Sequence, residues 1–172
     1  MIRFLMLFSL VFFFSCSEDS GTDSNGDGFG NNGGFKVTID GSSWQAGDFQ
    51  VFAVISVGEA TSVLSISASK SIPPASAEAF AISIGQPVSN ASGLEGTHNF
   101  GPTGMAALSF IQSNSSDVTS YLSLSGQVKI TNVSSSKVTG TFNATCVNTL
   151  DEMDTITLTN GSFSAPITTS DF

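Results

Sequence analysis

ITLTNGSFSAPI, residues 156–167, decides the reading of this chain. Ile156 and Leu158 stand at even positions, whereas Phe163, Ala165 and Ile167, beyond Asn160-Gly161, are all odd. Side chains of a strand alternate between two faces, so a strand with one buried face keeps one parity. One extra residue exchanges the faces, and a β-bulge at Asn160-Gly161 returns the second half to the inward side. Asn-Gly also favours a type I′ hairpin turn. The bulge is the preferred reading, because little chain remains after Gly161 for a return strand.

The same period of two recurs upstream. Phe35, Val37 and Ile39 lead into Asp40-Gly41, a hairpin signal, with Trp44 on a short return strand. Residues 49–57, FQVFAVISV, are almost continuously apolar and predict a strand buried on both faces or lying centrally. Leu64, Ile66 and Ala68 alternate with serines, and Pro73-Pro74 forces a loop. Phe80, Ile82 and Ile84 form the next set, a short strand is expected around Thr97–Phe100, and Leu108 and Phe110 mark another. Leu122, Leu124, Val128 and Ile130 share one parity with Gly126, where a bend or close backbone approach is expected. Val138, Phe142, Ala144 and Cys146 repeat the pattern around Gly140. A turn near Ala75–Ala79 is the one helical candidate outside the N-terminal segment. The expected fold is therefore all-β over residues 35–172: an antiparallel sandwich or barrel of about nine to ten strands.

The N-terminus reads differently. After Arg3, residues 4–14, FLMLFSLVFFF, are apolar except Ser9. As a helix they span about 16 Å at 1.5 Å per residue, and a bilayer core needs roughly 20 residues. Residues 1–15 therefore fit a signal peptide rather than a permanent anchor. The run stops at Cys16, followed by Ser17-Glu18-Asp19-Ser20. This border resembles a bacterial lipobox of the looser kind seen in Bacteroidota, in which the cysteine is acylated and becomes the new N-terminus. A lipidated Cys16 implies a protein held by its lipid at the outer membrane of the cell envelope, and the acidic tract favours surface exposure over the periplasmic face. Residues 16–34 then read as a tether rich in Gly, Asn, Ser and Asp, too polar to bury enough area to stay ordered. Asp23-Ser24-Asn25-Gly26-Asp27-Gly28 matches the first half of a calcium loop, but Gly34 stands where the bidentate Glu belongs, so the linker reading is preferred.

Composition excludes several functions. Of 172 residues only 11% are charged, and the formal charge is −9. Beyond Arg3 the basic residues are Lys36, Lys70, Lys129 and Lys137. Scattered lysines cannot neutralise a phosphate backbone, so no nucleic-acid partner is expected. His98 is the one histidine, and Cys146 the one cysteine besides Cys16. A zinc site needs several such ligands, so no metal and no cofactor are expected. Cys146 shares parity with Phe142 and Ala144 and is expected in the core. No G-x-S-x-G elbow occurs. Asp151-Glu152-Met153-Asp154 is the one tight carboxylate cluster, expected as a solvated hairpin loop. Trp44 and Tyr121 are the available aromatic platforms for a sugar besides phenylalanine, although Trp44 after a tight turn also suits a core.

Asp40-Gly41-Ser42-Ser43-Trp44-Gln45-Ala46 at the start, Val138-Thr139-Gly140-Thr141-Phe142 later, and Ile156 to Phe163 at the end resemble a family of small Bacteroidota lipoproteins with no assigned function. The resemblance covers about residues 35–167 and carries no catalytic residue. The expectation is a lipid-anchored, non-enzymatic β-domain that binds a glycan, a small ligand or an envelope protein, or serves surface architecture. A barrel carrying a hydrophobic ligand is the alternative, and a hydrolase using His98 or residues 151–154 the weaker one.

Overall fold

The computed structural model describes residues 33–48, 50–73 and 75–168. The segment expected as a signal peptide, Cys16 and the calcium-like string at residues 23–28 lie outside the described residues. Ten antiparallel strands follow one another: β1 (Gly34–Ile39), β2 (Ser42–Gln45), β3 (Val51–Val57), β4 (Ser62–Ile72), β5 (Ser76–Gln86), β6 (Gly96–Asn99), β7 (Ala106–Ser113), β8 (Val118–Val133), β9 (Lys137–Asn148) and β10 (Thr155–Pro166). The one helical element among the described residues is a 3₁₀ turn, Ala91–Leu94. Ala77, Glu78 and Ala79, the helical candidate, belong to β5 and pair with Ser71, Lys70 and Ser69 of β4. Cross-strand pairing overrides their helix propensity.

The strands form one sheet in the order β2-β1-β10-β9-β8-β7-β5-β4-β3, with β6 pairing the far half of β8. The sheet curls into a half-barrel whose ends approach each other. Ala53 bridges Ile167, the Thr168 N–H donates to the Ala53 carbonyl at 2.9 Å, and the Gly47 N–H donates to the Ser69 carbonyl at 2.9 Å. β3, expected centrally or buried on both faces, is instead the sheet's edge, and Phe52 on it is 44% exposed. Its nearly continuous apolar run fits the place where the two ends of the curl meet.

Local chemistry fixes the turns. Asp40 and Gly41 have φ of 46° and 86°, as a type I′ turn between β1 and β2 requires. In β10, Leu158 pairs with Ala144 and Gly161 with Phe142, so the extra residue falls at Thr159-Asn160. Asn160 takes φ 54° there, and Phe163 and Ala165 return to the buried side. The strand continues through the bulge rather than turning back.

A second bulge overturns the reading of β8. Ser123 pairs with Cys146 and Ser125 with Thr145, which makes Leu124 the extra residue. Tyr121 therefore points inward ahead of the bulge, and Val128 and Ile130 do so after it, while Leu122 and Leu124 are 48% and 52% exposed. Ser123 faces inward, and its Oγ accepts the Leu108 N–H at 2.9 Å where β7 parts from β8. A main-chain donor at the margin of the ladder thus finds a partner. Gly126 follows at φ 116°, and a Cβ there would lie 2.3 Å from the Asn143 carbonyl oxygen. Gly126→Ala is expected to cost at least about 2 kcal/mol, from the positive φ and the clash together. A urea melt measures it, and a loss below about 0.5 kcal/mol would contradict the close approach.

The concave side is filled by a column of rings. Phe35 meets Phe80, Phe142 and Phe163 at centroid distances of 5.2, 5.1 and 6.3 Å. Phe80 stacks on Phe110 at 4.3 Å, and Phe110 on Tyr121 at 6.3 Å. Leu64, Ile66, Ile82, Ile84, Val128 and Leu158 pack around them.

Candidate functional site

Of the residues singled out by their chemistry, Tyr121 and Asp154 meet through a hydrogen bond, whereas His98 and Cys146 lie on β6 and β9. His98 on β6 is buried, and both ring nitrogens are engaged. Its Nε2–H donates to the Leu94 carbonyl at 2.8 Å, and its Nδ1 accepts from the Gln86 amide at 2.6 Å. That tautomer satisfies both bonds and pins the 3₁₀ turn onto the sheet. With both nitrogens so occupied, the triad expected of a hydrolase is not assembled around the ring among the described residues. Cys146 is fully buried, and burial pushes its thiol up to about 12, far from a reactive thiolate.

Asp151, Glu152 and Met153 form the exposed tip of the β9–β10 hairpin. Asp154 at its base is a structural acceptor: Tyr121 Oη–H donates to Oδ2 at 2.9 Å and Asn148 Nδ2–H to the same oxygen at 2.8 Å. The bonds from Asn148 and Tyr121 hold its carboxyl below the usual aspartate value. Burial first, then the bond to Asp154, raises the Tyr121 phenol above its usual value. The depressed carboxyl stabilises the fold above its ordinary value of about 4, and that contribution is lost as pH falls through the lower native value. The raised phenol acts at the other end, stabilising the fold below about 10 and losing its contribution as pH rises through the native value. Asp154→Asn is therefore expected to lower Tm at neutral pH, with the deficit shrinking under acid. Thermal melts of both proteins across pH check this, and a deficit independent of pH would refute it.

Trp44 and Tyr121 are not platforms for a sugar, because both are core residues. Trp44 is 4% exposed and sets its edge against Phe80 at 4.8 Å. Its indole N–H donates to Glu78 Oε2 at 2.6 Å, and Gln112 Nε2–H donates to Glu78 Oε1 at 2.9 Å. Glu78 shares parity with Phe80, Ile82 and Ile84 and is a half-buried carboxylate at the rim of the column. Parity alone places it there; the turn expected over Ala75–Ala79 hides it. Among the described residues no group of three or more His, Cys, Asp or Glu is placed to hold a metal.

The feature that reads as a site lies on the convex side, over β8, β9 and β10. A shallow groove of about 470 Å³ is lined by Gln127, Lys129, Thr141, Asn143, Asn160 and Ser162. Register brings them together: Gln127 pairs with Asn143, Lys129 with Thr141, and Thr141 with Ser162. The bulge sets Asn160 beside them. Ser162 Oγ is buried in the groove without a hydrogen-bond partner. Sequence reasoning singles out no residue of this groove as a site, since each reads as an ordinary outward polar position.

The fold and its hydrogen bonds define an all-β half-barrel domain with an aromatic interior and a polar convex groove. The chain belongs to the family described as Domain of unknown function (DUF6252), which matches residues 31–165. No curated protein and no solved structure matches it.

Proposed function

We propose that the protein is a lipid-anchored, non-enzymatic binding module of the cell envelope. Lipid on Cys16 holds it at the outer membrane, and the polar segment between Cys16 and β1 carries the β-domain away from the headgroups. The single observation that carries the binding reading is the groove over β8–β10 with its unpartnered Ser162 Oγ. An orphaned buried hydroxyl costs free energy that a bound partner recovers.

A carrier of hydrophobic ligands is the less favoured reading, because contacting rings from Phe163 to Tyr121 occupy the concave side. The hydrolase reading is weaker still, because His98, Cys146, Asp154 and Glu78 each serve a structural contact. Incubation of the protein with a panel of glycans and metabolites tests the proposal. Retained ligand without product supports it, and turnover lost in His98→Ala or Asp154→Asn would replace it with an enzyme.

A further inference from the structure

We propose that the convex groove recognises an acidic saccharide, a hydroxylated ring bearing one carboxylate. This rests on the reading of the domain as a binding module and names the face and the ligand class. The volume of about 470 Å³ lies within the range of about 300–1,000 Å³ found for small-ligand sites. Beside Phe142 and Gly161, the residues that line it are polar, and all of these but Lys129 are uncharged. Gln127, Asn143 and Asn160 each offer an amide donor pair and a carbonyl acceptor, and Thr141 and Ser162 offer hydroxyls. Groups that both donate and accept match sugar hydroxyls, which do the same.

Charge selects within that class. Lys129 is the one ionised group in the groove. Its ammonium makes no ion pair or side-chain hydrogen bond with the described residues. It faces solvent on a chain of formal charge −9. A ligand with a single carboxylate gains a charge-assisted bond there, whereas a polyanion meets repulsion from the rest of the surface. The one ring that lines the groove, Phe142, is 4% exposed and offers no open face on which a neutral sugar could stack. Affinity must then come from hydrogen bonds and the one cation. The positive φ of Asn160 sets that amide at the bulge between the Ser162 and Asn143 sides of the groove, and bulges commonly re-aim a side chain at functional places.

The test is a ¹⁵N-amide NMR titration of the full chain in detergent with galacturonate, N-acetylneuraminate, galactose and acetate. The expected result is shifts confined to residues 127–129, 141–143 and 160–162 with the two acidic sugars, weaker with galactose and with acetate. Lys129→Gln is expected to weaken the acidic sugars at least about tenfold. Lys137→Gln, the same charge change outside the groove, is expected to change affinity by less than about twofold. Both lysines are exposed, and matched circular dichroism verifies that the variants fold. Galactose or acetate equal to galacturonate would overturn the ligand class. Shifts elsewhere on the domain would overturn the groove and leave the binding module standing. No shift with any of the four overturns the inference, and a hit in the wider glycan and metabolite panel would then show that the module reading survives it.

Discussion

Phe35→Ala is expected to destabilise the domain by about 3–5 kcal/mol, the range for truncating a buried phenylalanine in a core that collapses only partly. Phe35 is 0% exposed and touches four rings: Trp44, Phe80, Phe142 and Phe163. It also ties together strands that stand far apart in the sheet, since β1 carries it beside β10 while its ring meets Phe80 of β5. Removal leaves a void bounded by large, stiff rings that cannot all move inward together. Domains of this size have total stabilities of about 5–15 kcal/mol, so the loss is a large share. Thermal melts followed by near-ultraviolet circular dichroism should show Tm falling by roughly 10 °C or more. Phe52→Ala is the control, because Phe52 is 44% exposed on β3 and should cost less than about 1 kcal/mol. Equal losses from the two variants would mean that the aromatic column does not hold the half-barrel together.

The other large effect concerns location. If Cys16 carries a diacylglycerol thioether, Cys16→Ser is expected to move the protein almost wholly from the membrane to the soluble fraction. Each buried CH₂ contributes about 0.8 kcal/mol, so two acyl chains hold a protein firmly where one holds it marginally. The groove over β8–β10 is polar and cannot replace them, and anionic headgroups repel a chain of net charge −9. Incorporation of an alkynyl palmitate analogue, with mass spectrometry of the N-terminal peptide, reports the modification directly. An unmodified thiol on Cys16, or identical partitioning of wild type and Cys16→Ser, would remove the anchor from the proposal. The groove and its ligand would be untouched by that result, because they depend on β8–β10 alone.

Much of the architecture was legible because strand alternation is a local signal. The hairpin at Asp40-Gly41 could be read because few residue pairs accept two successive positive φ angles. The bulge at Asn160 could be read because the apolar residues on either side belong unambiguously to one face each. The same logic misleads at β8, where Leu122-Ser123-Leu124-Ser125 offers two apolar and two polar positions. Parity assigns the leucines to the core. The structure instead turns Tyr121 and Ser123 inward, where Tyr121 reaches Phe110 and Asp154 and Ser123 serves the Leu108 N–H. Those partners come from β7 and the β9–β10 hairpin, and nothing in the local pattern announces them. The site was less legible than the fold. His98, Cys146 and the 151–154 carboxylates stand out as reactive side chains, yet a neighbouring carbonyl and amide hold the imidazole, an apolar surround buries the thiol, and a phenol bonds Asp154.

By itself the sequence determined that residues 35–167 are built of strands, where two tight changes of direction or face fall, and that the thiol of Cys146 belongs to the core. Turn chemistry and alternation act over a few residues, so they can be read without knowing what lies opposite. Only the tertiary structure decided that the sheet curls until β3 meets the end of β10, that Leu122 and Leu124 face solvent, and that Lys129, Thr141 and Ser162 stand side by side. Which face of a strand is buried, and which side chains become neighbours, depends on the register of strands distant in sequence, and a slip of one residue exchanges every one of them.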